Sequence, residues 1–94
     1  MEINERTGIV VIDQKKYHLT KYEMKVLVEL RKPGLRTYAD IYHALYNIRP
    51  DIVNETGMKS IKNLVGNVRR KTGLRIQNYS GYGYELVGGT NGEI

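Results

Sequence analysis

Apolar positions along this chain change period several times, and each change marks an element. Gly8-Ile9-Val10-Val11-Ile12-Asp13 is a β-branched run, Asp13-Gln14 is turn-prone, and Lys15-Lys16-Tyr17-His18-Leu19 follows. That pattern predicts a β-hairpin of limited length. From Thr20 the period becomes helical. In Thr20-Lys21-Tyr22-Glu23 the Thr hydroxyl can accept from the N–H three residues on, and the Glu can reach back, which makes a capping box. Met24, Leu27 and Val28 then fall at i, i+3 and i+4, with Val26 and Leu30 widening the stripe, until Pro33-Gly34 stops the helix.

Thr37-Tyr38-Ala39-Asp40 repeats the start signal with a shorter acid, and Ile41, Ala44 and Leu45 line one side of a second helix that ends near Tyr46-Asn47. Residues 48–57 hold a proline and several turn formers and read as a loop. The third helix, over residues 58–72, has the clearest stripe: Ile61, Leu64, Val65 and Val68 follow i, i+3, i+4, i+7, and Gly73 supplies the stop. Residues 74–77 and 84–87 read as strands joined by Asn78-Tyr79-Ser80-Gly81-Tyr82-Gly83. Residues 1–87 therefore form one domain, and 88–94 form a flexible tail with nothing to bury.

Composition narrows the class. With no cysteine, neither a disulfide nor a thiolate metal site can hold the fold. No apolar run approaches the roughly 20 residues that cross a bilayer, and the first residues lack a signal-peptide layout, which together lead to a cytoplasmic expectation. The net charge of +5 is unevenly spread. Up to Glu55, nine basic residues nearly balance eight acidic ones; from Thr56 to Tyr84 there are Lys59, Lys62, Arg69, Arg70, Lys71 and Arg75 and no acid. A charge run is often only a solvated face. Complete exclusion of acids over such a length favours a polyanionic partner instead.

The face of the third helix opposite its apolar stripe carries Lys59, Lys62, Asn63, Gly66 and Arg70, flanked by Asn67 and Arg69. Amide side chains suit adenine, and Lys suits guanine or phosphate. Gly66 has two readings that stand open together: a tolerated weak point, or a gap that lets the helix backbone settle close against DNA. No catalytic motif appears, His18 and His43 stand apart, and neither enzymatic activity nor a metal or other cofactor is expected.

The order strand, strand, helix, helix, loop, helix, hairpin is that of an α+β winged helix-turn-helix: three helices, a short N-terminal β-hairpin and a C-terminal β-hairpin wing. The residues also resemble the DNA-binding effector domain of OmpR/PhoB-type response regulators. The resemblance rests on Leu19-Thr20-Lys21-Tyr22-Glu23-Met24, on residues 37–46, on Lys59-Ser60-Ile61-Lys62-Asn63-Leu64-Val65-Gly66-Asn67-Val68-Arg69-Arg70-Lys71, and on Ser80-Gly81-Tyr82-Gly83-Tyr84-Glu85-Leu86. It covers about residues 8–87.

What it implies is a sequence-specific, double-stranded DNA-binding transcriptional regulator. The third helix would lie in the major groove, with Asn63 and Asn67 at base-contacting positions and Lys59, Ser60 and Arg69 at phosphate-binding ones. Lys62, Arg70, Tyr46 and, on the wing over residues 78–84, Asn78, Ser80 and Tyr82 complete the candidate contacts. The loop over 47–57 matches the segment that meets RNA polymerase in activators of that family. Lys62 stands where the family has an acid, Ser80 where many members have a basic wing residue, and the N-terminal sheet is expected to be shortened to a hairpin. No receiver domain is expected ahead of it, so Asp13, Asp40 and Asp51 are not expected to accept phosphate, and the domain is expected to be a monomer that pairs on DNA. Of the hairpin tyrosines, Tyr84 is expected in the core, Tyr82 at DNA, and Tyr79 at either. An RNA-binding module and a winged-helix protein-interaction module remain the alternatives.

Overall fold

The computed structural model describes residues 1–88 and has three helices and two small antiparallel sheets, an α+β fold. In chain order these are β1 (Glu2–Asn4), β2 (Ile9–Ile12), β3 (Lys15–His18), α1 (Lys21–Leu30), β4 (Arg36–Thr37), α2 (Tyr38–Tyr46), α3 (Glu55–Thr72), β5 (Arg75–Tyr79) and β6 (Gly83–Gly88). One sheet has the order β1-β2-β3 and the other β4-β6-β5. Among the described residues no helix is long and apolar enough to cross a membrane.

The N-terminal sheet has three strands rather than the two of the expected hairpin. Glu2-Ile3-Asn4 offers one apolar residue and no alternation, so its strand character comes from pairing with β2, Glu2 opposite Val11 and Asn4 opposite Ile9. The turn back is organised by Asn4, whose carbonyl accepts from Gly8 N–H at 3.0 Å and whose side chain accepts from Arg6 and Thr7. The β2–β3 turn places both Asp13 (φ 50°) and Gln14 (φ 69°) in the left-handed region, the backbone of a two-residue hairpin turn.

Both expected capping boxes form. Thr20 and Glu23 exchange bonds at the start of α1, and Thr37 and Asp40 do so at α2. Helix α3 starts three residues before the expected boundary. Asn54 accepts from Gly57 N–H at 2.8 Å and caps it, so residues that look like turn formers make its first turn. Gly57 fits there because a Cβ would sit 3.2 Å from the Tyr42 ring and 2.9 Å from Val53.

The core gathers Val10 and Ile12 from the first sheet, Met24, Val26, Leu27 and Leu30 from α1, Ile41 and Leu45 from α2, Ile61, Val65 and Val68 from α3, and Ile76 and Tyr84 from the second sheet. Tyr84 packs edge-on against Tyr38 at 5.7 Å between centroids, so the expectation that it is a core residue holds. The buried acids are paired. Glu29 accepts from both Arg36 Nε (2.9 Å) and an Arg36 terminal nitrogen (2.8 Å), and Glu23 accepts from Lys71 Nζ at 2.7 Å. A buried charge without a partner would cost several kcal/mol, so each pair removes a liability rather than adding large stability.

Strand β4 carried no signal of its own. Its two residues pair with Tyr84 and Gly83 of β6 and fasten the end of the β5–β6 hairpin to the start of α2, reinforced by Tyr38 N–H donating to Tyr82 carbonyl at 3.1 Å. Gly88 belongs to β6; the rest of the tail expected over 88–94 lies outside the described residues.

Candidate nucleic-acid interface

Helix α3 buries Ile61, Val65, Val68 and Thr72 along one stripe, which turns its polar residues outward. Lys59, Lys62, Asn63, Arg69 and Arg70 are exposed, while Ser60, Gly66 and Asn67 are half-buried. At about 100° per residue, Lys59, Asn63, Gly66 and Arg70 fall within one narrow sector, with Lys62 on its edge. Among the described residues no acidic side chain forms an ion pair with Lys59, Lys62, Arg69 or Arg70, and Glu55 is the one acid that shares a surface depression with Lys59 and Lys62.

The basic segment does not act as one patch. Lys71 is spent on buried Glu23, whose burial would raise its carboxyl pKa; hydrogen bonds from Lys71 and Thr20 outweigh that and hold it below the ordinary value. Arg69 donates to the Ile76 carbonyl at 2.8 Å and so ties α3 to β5. A guanidinium has five donors, so part of Arg69 remains available to an anion, but its role is also structural. Asn67 accepts from Arg70 at 2.8 Å. Bidentate contact with adenine uses both ends of an amide, so a base would share the Asn67 oxygen with Arg70, whereas among the described residues no hydrogen bond occupies the Asn63 side chain.

Gly66 sits at the centre of this face, and beyond its own helix backbone nothing among the described residues lies within 4 Å of where a Cβ would be. Its backbone is outside the region that favours glycine. Neither packing nor conformation requires glycine there, although it costs the helix about 1 kcal/mol relative to Ala.

The β5–β6 hairpin lies beside this helix. Its turn runs from Tyr79 to Tyr82, closed by Tyr82 N–H to Tyr79 carbonyl at 2.8 Å, with Gly81 (φ 81°) in the third position as a type II turn demands. Gly83 has a different purpose from the turn role its spacing implies. A Cβ there would lie 2.1 Å from the Arg36 carbonyl oxygen, so the close approach it permits is to β4. Tyr82 is 71% exposed at the tip. Tyr79 donates to Glu85 at 2.8 Å across the hairpin, and that bond holds its phenol above the ordinary pKa. Asn78 and Ser80 are exposed beside them.

A cleft of about 350 Å³ separates the tip from the start of α3 and is lined by Ala39, Ile52, Val53, Met58, Gly81 and Tyr82. No periodicity or motif singles out Ile52 and Met58 in the sequence, because the loop brings them to the hairpin only in three dimensions. Tyr46 is elsewhere engaged: its ring meets Tyr42 at 4.7 Å and Tyr22 at 6.0 Å, and Lys25 sits over Tyr22 at 5.7 Å.

Among the described residues no group of three or more His, Cys, Asp or Glu side chains could hold a metal ion. No protein-family model matches the chain, and no curated protein matches it either.

Proposed function

We propose that this chain is a winged helix-turn-helix domain that binds double-stranded DNA sequence-specifically and regulates transcription, as its resemblance to OmpR/PhoB-type effector domains implies. Helix α3 enters the major groove, which at about 12 Å is wide enough for a helix, and the β5–β6 tip serves as the wing at the minor groove. Lys59, Lys62 and Arg70 supply phosphate contacts, Asn63 reads a base, and Tyr82 meets sugar or phosphate. The reading carries with it a cytoplasmic setting, no enzymatic reaction, pairing of monomers on DNA, and contact of loop 47–57 with RNA polymerase.

The supporting observation is Gly66: an exposed face of cations and amides, free of partnered acids, is built around a helical glycine that the protein itself does not need. A solvated surface has no use for that gap, whereas a helix pressed against another backbone does.

The test is fluorescence anisotropy with labelled duplex DNA, competed by single-stranded RNA, across a range of salt. Three cationic phosphate contacts give a slope of log K on log salt of about −3. Selection from a random duplex pool then yields a preferred site, and Asn63→Ala relaxes that preference by about 1–3 kcal/mol at one position. Equal competition by RNA, or a flat salt dependence, refutes the proposal.

A further inference from the structure

Among the described residues, nothing from the core covers one face of the β1-β2-β3 sheet. Alternation sends Val10 and Ile12 into the core, so Ile9 and Val11 point the other way, only half-buried and outside the set of residues that pack against the core. The register puts Glu2, Val11 and Lys16 in one row across the three strands, and Asn4, Ile9 and His18 in another. Apolar β-branched residues therefore occupy the centre, with an acid on one flank and cationic or polar groups on the other. A shallow groove of about 390 Å³ follows the β1–β2 side of this face. Glu2 and Lys16 are both exposed and have no ion-pair partner among the described residues.

We infer that this sheet face is a self-association surface and that its occupant is a second copy of the chain, packed face to face about a two-fold axis parallel to β2. The axis exchanges the β1 and β3 flanks while keeping each row level. Glu2 of each copy then faces the other copy's Lys16, Asn4 faces His18, and Ile9 and Val11 meet their own counterparts at the centre. A self-complementary patch of this kind is what an isologous interface needs, and facing sheets pack with strands within about 30° of parallel. A row pattern with like charges on both flanks would not satisfy the same operation.

The patch is small. Three strands about 4.8 Å apart and four residues at about 3.4 Å give a footprint of about 200 Å², far below the roughly 800 Å² per partner of a stable complex. Association in free solution is therefore weak and becomes substantial only where two copies are held close together. Combined with the DNA reading, a two-fold pair calls for half-sites in inverted orientation.

Sedimentation equilibrium and amide-resolved NMR of the full chain, taken to millimolar concentration without DNA, test the inference independently of DNA binding. The expected result is a weak dimer, with concentration-dependent shifts centred on Glu2, Ile9, Val11 and Lys16. Val11→Lys weakens it about tenfold or more, and Val11→Thr, which keeps the β-branch and hence the fold, weakens it in the same direction. Glu2→Lys and Lys16→Glu each weaken it through like-charge contact. An equimolar mixture of those two variants restores association, because both cross-copy pairs become opposite in sign again. Absence of any concentration dependence, a dimer indifferent to Val11→Lys, or a mixture no tighter than either charge variant alone overturns the inference.

Discussion

Replacing Gly66 by Ala separates what α3 needs for folding from what it needs for binding. Beyond the backbone of its own helix the added Cβ meets no atom of the described residues within 4 Å, and Gly66 does not have a positive φ, so the folded state accommodates the methyl without strain. What changes is helix propensity, worth about 1 kcal/mol in favour of Ala, part of it through the reduced freedom of the unfolded chain. For a domain of this size that raises Tm by about 4–8 °C. Binding moves the other way. The methyl projects from the centre of the Lys59–Asn63–Arg70 sector and holds the helix backbone off the groove floor, and duplex affinity falls about tenfold or more, equivalent to about 1.4 kcal/mol. Thermal unfolding and salt-matched anisotropy on the same preparation give both numbers. A higher Tm with unchanged affinity refutes close seating of α3 at Gly66. A lower Tm refutes the account of the free space.

Gly83→Ala forces a methyl to within 2.1 Å of the Arg36 carbonyl oxygen, so β4 must separate from β6, and thermal unfolding should report a loss of about 1–3 kcal/mol. Burial would raise the Asp40 carboxyl pKa, but hydrogen bonds from Arg49 and the Thr37 backbone and side chain, with the Arg36 charge, bring it down to about 2. A depressed folded-state pKa means that its contribution is complete above about pH 4 and is lost as the pH falls through 2, so Asp40→Asn flattens acid unfolding in that window. Lys62→Ala lowers the DNA salt slope by about 1 and leaves Tm nearly unchanged, whereas Arg69→Ala also loses the bond to Ile76 carbonyl and costs about 0.5–1.5 kcal/mol of stability. Equal Tm for the two variants contradicts the dual role assigned to Arg69.

Features whose partners lie within a few residues are legible from the amino-acid order alone. Thr20 with Glu23 and Thr37 with Asp40 are three apart, so both capping boxes and the helices they start are written locally. The stripe of Ile61, Val65 and Val68 likewise assigned the buried and outward faces of α3, and with them most of the candidate interface. Features that depend on distant partners emerge only once the chain has folded. Strands β1 and β4 are too short to show a period and exist because β2 and β6 offer open backbone groups. Lys71 looked like one more cation for a polyanion until the fold placed it on Glu23, 48 residues away. The same is true of Arg69, drawn to the Ile76 carbonyl, and of Gly83, whose missing Cβ makes room for a strand that the sequence does not announce. Local hydrogen bonds and periodicity act over one or two helical turns, which leaves a signal in adjacent residues; charge pairing and close backbone approach act through space and leave none.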